Sequence, residues 1–321
     1  MYDYEGKRIK FSITGASHTD FVGFRAVGLP EGFMPDVSKV QIMMDRRKPG
    51  GLNVSQRKED DVPEFSWENG EFVCKIANND VKRAHYDELR DTPRPGTADY
   101  TARIKYGEDF DMSGSGPFSG RMTAPMVALG ASVMQLPEME NISIRTRIIK
   151  ISGGNSCGEC DKIIENIVKV GDSAGGIVEC IVTGLPAGFG GPMFEGLEGK
   201  LAAAVFGIPG VKGIEFGSGF AGALTNGSEN NDEMYYDNEG TVKFSTNNCG
   251  GILGGISTGE EIVFRVAVKP TPSIAKKQKT INMKLKTNVE IEIHGRHDPC
   301  IALRVGPVIE ALTGVVIYDL C

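Results

Sequence analysis

GGILGGISTGEEIVFRVAVKPTPSI, residues 250–274, contains the strand on which the reading of this chain turns. Ile262, Phe264, Val266 and Val268 alternate at period two and share one face of a half-buried strand. That strand delivers Lys269 and the stiff Pro270-Thr271-Pro272-Ser273 turn to its carboxyl end. Upstream, the pairs Gly250-Gly251 and Gly254-Gly255 let backbone approach a ligand with no Cβ in between. A cation, two hydroxyls and free backbone N–H groups beside a glycine-lined surface suit a phosphate. Further on, HGRHDPCIALR, residues 294–304, adds the planar cation of Arg296, the titratable ring of His297 and the carboxylate of Asp298 ahead of a long apolar segment. Together the two stretches read as half of an active site.

The chain has 321 residues, enough to bury roughly 75% of its unfolded surface. Its 42 glycines exceed the usual ~7% but show no collagen-like period, which points to many tight connections and close backbone approaches. A net charge of −7 argues against general nucleic-acid binding. The cations cluster nonetheless: Arg46-Arg47-Lys48, Arg57-Lys58, Arg94, Arg121, Lys269 and Arg296 all fall in Gly/Pro-rich loops, as a pocket for a small polyanion requires. There is no signal-peptide pattern and no apolar run of ~18 residues, so a soluble, cytoplasmic protein without membrane partners is expected. Seven irregularly spaced cysteines agree with a reducing compartment. Cys157 and Cys160 form a lone C-x-x-C with no second pair, and no metal is expected there.

In chain order, Lys10–Thr14 reads as a strand ending at Gly15, with Ser17, His18 and Thr19 in a tight exit loop placed for proton transfer. A helix capped by Asp36 runs to Asp45 and breaks into the Arg46-Arg47-Lys48-Pro49-Gly50-Gly51 loop. Glu64–Ile76 is a hairpin turning at Glu68-Asn69-Gly70. Residues 90–100, with Pro93, Pro95 and Gly96, form an ordered irregular loop. Ser113–Arg121 is a Gly/Ser loop that opens a helix from Met122 to Gln135 and offers N–H groups to an anion. Strands follow over Ile142–Ile151, Asp172–Gly184 and Gly213–Leu224, with helices through Ile163–Val168 and over Leu197–Phe206. Ile301–Leu320 is an apolar helix expected at the centre, with Gly306 and Pro307 as bending points. Strands in hairpins separated by helices, without sustained βαβα alternation, favour an α+β fold: largely antiparallel sheet with the helices gathered into a layer, in a single domain over residues 1–321.

These blocks, taken together, resemble the chorismate synthase family over essentially the whole length. DSAGGIVECIVTGLPAG (172–188), IPGVKGIEFGSGF (208–220), GSENND (227–232), TNNCGGILGGIS (246–257), VAVKPTPSI (266–274) and GRHDPC (295–300) occur in the family's order. So do GASHTDFVG (15–23), DRRKPG (45–50), QRKEDD (56–61), RPGTADYTARIKYG (94–107) and FSGRMTA (118–124). The resemblance implies a β-α-β sandwich, a homotetramer and binding of reduced flavin mononucleotide (FMN), and it leaves open whether NADPH serves as the flavin's reductant. The implied reaction is the anti-1,4-elimination of phosphate from 5-enolpyruvylshikimate 3-phosphate to give chorismate. By the same resemblance the flavin lies against Ser119, Pro209, Gly210, Gly254, Lys269, Pro270, Thr271, Pro272, Ser273 and Arg296. His18 is the acid for the departing phosphate, and Asp298, helped by Ser17, manages the flavin N5 proton. Arg47, Arg121 and Arg94 are the expected clamp for the substrate's phosphate and carboxylates, which a guanidinium can bind at two points.

The chain also departs from the family's pattern. The family's GESHG loop has Ala16 and Thr19 here, the second catalytic histidine of its RPGHAD motif is Thr97, and its GGRSSARET loop carries Pro117, Phe118 and Met122. A general acid is worth about 10²–10⁴-fold, so the exchange to Thr97 predicts reduced activity unless a water on its hydroxyl passes a proton. The same departures define a second expectation, a catalytically silent relative that keeps the flavin or polyanion pocket for binding or assembly.

Overall fold

The computed structural model describes residues 2–48, 59–79, 90–154, 157–293 and 298–321. Fifteen strands and six principal helices are named below in chain order. The amino-terminal part supplies β1 (Tyr2–Glu5), β2 (Lys10–Gly15), β3 (Phe21–Val27), α1 (Val37–Arg47), β4 (Pro63–Glu68), β5 (Glu71–Ala77), α2 (Asp99–Tyr106) and α3 (Thr123–Val133). Then come β6 (Ser143–Ile151), α4 (Cys157–Lys169), β7 (Gly176–Thr183), α5 (Leu197–Phe206) and β8 (Val211–Phe216). Two small hairpins, β9 (Met234–Tyr236) with β10 (Val242–Phe244) and β11 (Ile252–Leu253) with β12 (Ile256–Ser257), precede β13 (Ile262–Val268). A third hairpin, β14 (Gln278–Asn282) with β15 (Thr287–Ile291), leads to α6 (Ala302–Leu320).

Two antiparallel sheets enclose the helices. One has the order β1-β2-β3-β5-β4 and the other β6-β7-β13-β8. The first turns Phe11, Ile13, Phe24 and Phe72 inward, and the second turns Val178, Cys180, Ile262 and Phe264 inward. α3 packs under β3 and β5, α6 lies on β6 and β7, α5 covers β8, and α1 wedges beside α3 and α6. The expected α+β arrangement of antiparallel sheets around a helical layer is therefore the fold observed. α6 is its axis: Val308 to Tyr318 are buried without a break, because the apolar residues that fill it touch both sheets' helical partners. α3 and α6 approach so closely that a Cβ on Gly130 would overlap Ala311, and Gly306 lets α6 settle onto Thr146 of β6. The helix runs continuously through Gly306 and Pro307. Glu310, buried within it, accepts from the Thr146 N–H and hydroxyl at 2.9 and 2.7 Å and from Arg46 at 2.7 and 2.8 Å, joining α6, β6 and α1.

Local expectations hold where pattern and turn chemistry agree. The 64–76 hairpin turns through Asn69 and Gly70, both left-handed as a tight two-residue turn demands. Asp36 caps α1 by accepting the Ser38 N–H at 2.9 Å. Three expectations fail. The strand expected over Gly213–Leu224 stops at Phe216, because Gly217 and Gly219 take left-handed φ and the chain enters a single helical turn, Gly219–Gly222. Residues from Asp99 onward are helix α2, which begins inside the expected loop. Gly250, Gly251 and Gly255 make their close approach to the protein's own backbone, at Gly217, Glu261 and Gly191 respectively, and not to a ligand surface.

Candidate active site

β2 ends at Gly15, whose left-handed φ (+85°) and tight contact with the Phe21 carbonyl exclude a side chain. The turn that follows is closed by Thr19: its hydroxyl accepts the Ala16 N–H at 2.9 Å and reaches the Phe21 carbonyl at 2.8 Å. A hydroxyl thus closes the turn. The turn aims Ser17 and His18 inward, where both are buried. The Gly/Ser loop at 113–118 passes directly over them. Ser17 donates its N–H to the Gly116 carbonyl at 3.4 Å, Ser17 and Ser119 hydroxyls meet at 3.3 Å, and a Cβ on Gly114 would collide with the His18 ring.

A cavity of about 720 Å³ opens beside this loop. Of the expected cofactor residues, Ser119, Pro209, Gly210, Lys269, Thr271, Pro272 and Ser273 line it, together with Asp298 from the proposed proton machinery. Its walls therefore come from loops far apart in sequence, and Thr97 and Phe118 stand among them. Pro270 and Gly254 do not; Gly254 sits in the β11–β12 turn with open space around it. Arg296 lies outside the described residues.

The floor is built by β13. Lys269 continues that strand's bonding, its N–H to the Gly210 carbonyl at 2.9 Å, and its ammonium donates to the Gly96 carbonyl at 2.5 Å. Burial, and then the nearby charge of Lys212, lower the Lys269 pKa. Ser173 donates to the Thr271 carbonyl at 2.6 Å, which fixes the Pro270–Ser273 turn. The Thr271 hydroxyl is itself buried and has no hydrogen-bond partner among the described residues. A buried hydroxyl left unmade costs about 1–3 kcal/mol, so this atom calls for a polar ligand group. At the amino end of α6, Asp298 accepts from Arg304 Nε at 2.5 Å and from the Cys300 N–H at 3.2 Å.

Behind the loop, Arg47 and Arg121 converge on one carboxylate, that of Asp61, each in an ion pair with a different oxygen. Arg121 also donates to Asn78 Oδ1 at 2.7 Å and to the Ala77 carbonyl at 3.0 Å. The Arg47 Nε is buried without a partner among the described residues. Burial lowers the Arg47 guanidinium to about 10, against the pull of Asp61 and with help from the Arg304 and Arg121 charges, so it remains protonated at neutral pH. Arg94 is engaged otherwise. It clasps Asp99 and reaches Ser115 and Ser273, so it braces the cavity wall from behind. Thr97 completes that brace: its hydroxyl donates to the Arg94 carbonyl at 2.9 Å and accepts the Asp99 N–H at 3.1 Å.

Sequence reasoning missed several groups. Arg304, Lys212 and Asp61 lie within the quoted blocks but are given no role there. Tyr2 and Tyr4 of β1 also line the cavity, from a strand too short to show its period. Burial, and then Asp319, raise the Tyr4 phenol to about 12, so it stays neutral.

A sequence description of the chorismate synthase family matches residues 9–321, nearly the whole chain. The chain belongs to the chorismate synthase family. Among its relatives, the chorismate synthase of Methanocaldococcus jannaschii is 40% identical, with 98% of this chain and 95% of that protein covered. Those of Dehalococcoides mccartyi and Korarchaeum cryptofilum are each 39% identical, over 98% and 99% of this chain. A crystal structure of a chorismate synthase superposes with a TM-score of 0.74 over 98% of this chain and 92% of that one, at 22% identity, and shares the fold. The Tyr2–Glu5 strand on the cavity's rim precedes the span that the family description covers.

Proposed function

We propose that this chain converts 5-enolpyruvylshikimate 3-phosphate to chorismate by anti-1,4-elimination of phosphate, with reduced FMN in the cavity. The observation that carries this reading is the buried, unpartnered Thr271 hydroxyl in a cavity rimmed by Lys269, Lys212 and Arg304, with Arg47 and Arg121 behind its loop. Such a site favours a polyanionic cofactor and a triply anionic substrate. When bound, reduced FMN supplies an electron-rich ring beside the reacting carbons, and the reaction is neutral in redox overall.

The chain's own residues have distinct tasks. Lys269, Thr271 and Ser273 hold the cofactor's polar groups, while Pro209, Gly210 and Ser119 shape its bed. Arg47 and Arg121, tied together by Asp61, present their remaining N–H groups to the substrate's anionic groups, and Arg296 adds to this clamp. His18 protonates the departing phosphate, with Ser17 and Ser119 fixing the loop that covers it. Asp298, steadied by Arg304 and the Cys300 N–H, holds the proton removed from the ring. The proposal includes a single domain over 1–321, a cytoplasmic homotetramer and NADPH as a source of electrons for the flavin. Phe194, Leu224, Phe220 and Tyr236, each more than three-quarters exposed, support self-association.

The test is an anaerobic assay with photoreduced FMN, following phosphate release and chorismate absorbance together. Coupled formation of both is expected, with most of it lost in His18→Ala. Folded, flavin-binding protein that releases no phosphate would overturn the reading and leave a silent relative in its place.

A further inference from the structure

The β6-β7-β13-β8 sheet turns one face to α5 and α6. The opposite face has an unusual order. Register places Arg147 of β6 beside Glu179 of β7, Glu179 beside Arg265 of β13, and Arg265 beside Glu215 of β8. All three neighbouring pairs are closed: Arg147 to Glu179 at 2.6 Å, Arg265 to Glu179 at 3.3 Å and Arg265 to Glu215 at 3.0 Å. The row therefore runs plus, minus, plus, minus across the sheet. Apolar pairs flank it on both sides, Ile181 with Val263 and Ile177 with Ala267. The Arg147 end of the row is open, its side chain 68% exposed while Glu179 is 8% exposed, and Glu215 at the other end is 28% exposed.

Such a row is its own complement when reversed. We propose that this face is a contact between two copies of the chain, related by a two-fold axis that runs parallel to the strands between β7 and β13. That axis sets Arg147 opposite the partner's Glu215 and Glu179 opposite the partner's Arg265. It also lays each apolar pair on its own equivalent, as an isologous interface demands. Four strands at ~4.8 Å spacing and seven residues at ~3.3 Å make a patch of roughly 19 by 23 Å, about half of what a standard interface buries per partner. The remainder comes from the rim. Glu215 accepts the Phe220 N–H at 3.2 Å, which puts the helical turn bearing Phe220 and Leu224, 81% and 89% exposed, at the β8 end of the row.

This inference deepens the assembly proposed above by naming its surface, and charge inversion tests it. The mass of the full-length chain is measured by sedimentation velocity at micromolar concentration, with circular dichroism as a check on folding. Arg147→Glu and Glu215→Arg, each alone, are expected to halve the wild-type mass. Combined, they restore it, because the pairing between copies is re-formed with its sign reversed. A purely internal role predicts the opposite, since within one chain the double variant sets like charges against Glu179 and Arg265. Singles that keep the wild-type mass, or a double variant that stays dissociated, overturn this face as the contact while the assembly itself stands. A wild-type chain that is monomeric overturns both.

Discussion

Arg94 grips Asp99 at both carboxylate oxygens, through Nε at 2.7 Å and Nη2 at 2.9 Å. The same guanidinium reaches Ser115 at 3.0 Å and Ser273 at 3.4 Å, so one planar cation ties the 94–99 turn, the Gly/Ser loop and the Pro270–Ser273 turn together. Ser115 holds a left-handed φ of +71°, a conformation that costs a non-glycine residue of order 1 kcal/mol and that this bond sustains. Lysine cannot span three directions. Arg94→Lys is expected to lower unfolding stability by about 1.5–3 kcal/mol, read from urea denaturation. It should also weaken FMN binding in a fluorescence titration, and an unchanged denaturation midpoint would remove Arg94 as a brace.

Asp61 stands between Arg47 and Arg121 with a backbone φ of +51°. Its removal leaves two buried guanidinium groups facing each other with no counter-charge. Asp61→Ala is expected to cost about 3–5 kcal/mol in equilibrium unfolding, the usual consequence of stranding a buried charge. A loss under 1 kcal/mol, on the order of an exposed pair, would show that solvent had replaced the carboxylate.

Acid should expose the same design. Burial tends to raise the Asp61 and Asp99 carboxyls, but Arg47 and Arg121 in one case and Arg94 in the other more than offset it, so both lie below the ordinary aspartate range. With folded values depressed, the unfolded chain takes up protons first as pH falls. Their contribution is therefore complete above about pH 5 and lost as pH drops through the unfolded and then the folded-state values. Unfolding free energy measured from pH 6 down to 3 should fall on the acid side, less steeply in Asp61→Ala. A curve that rises on acidification would contradict the sign.

Thr97 and His18 make contrasting predictions for catalysis. The Thr97 hydroxyl spends its hydrogen on the Arg94 carbonyl, which argues against a proton relay through it. Thr97→Val should leave kcat unchanged while loosening the turn by about 1 kcal/mol. His18→Ala should lower kcat by about 10²–10⁴-fold with FMN affinity intact. A large fall in kcat for Thr97→Val would restore the relay.

The parts of this protein legible in its sequence are those in which one physical signal acts alone. β13 shows its period because it is apolar on the face it buries, α6 shows itself as an almost wholly apolar segment, and Asn69-Gly70 shows its turn because those residues tolerate left-handed φ. The Gly213–Leu224 segment misleads because alternation persists past the glycines that bend the chain. Gly250, Gly251 and Gly255 mislead for a related reason: a missing Cβ signals close approach without saying whether backbone or ligand arrives. In the site, the family resemblance named most of the residues that line the cavity, but Asp61 and Arg304 matter through partners remote in sequence, which no local pattern contains.

α6 has a consequence for how the molecule is made. Its Asp319 accepts the backbone N–H of Arg8, 311 residues upstream, at 2.8 Å, and its Tyr318 hydroxyl donates to the Gly28 carbonyl at 3.0 Å. On the ribosome, the strands near Arg8 and Gly28 emerge long before the segment that covers them. Their oily sides must wait uncovered, or be sheltered by a chaperone, until residues 302–320 leave the exit tunnel.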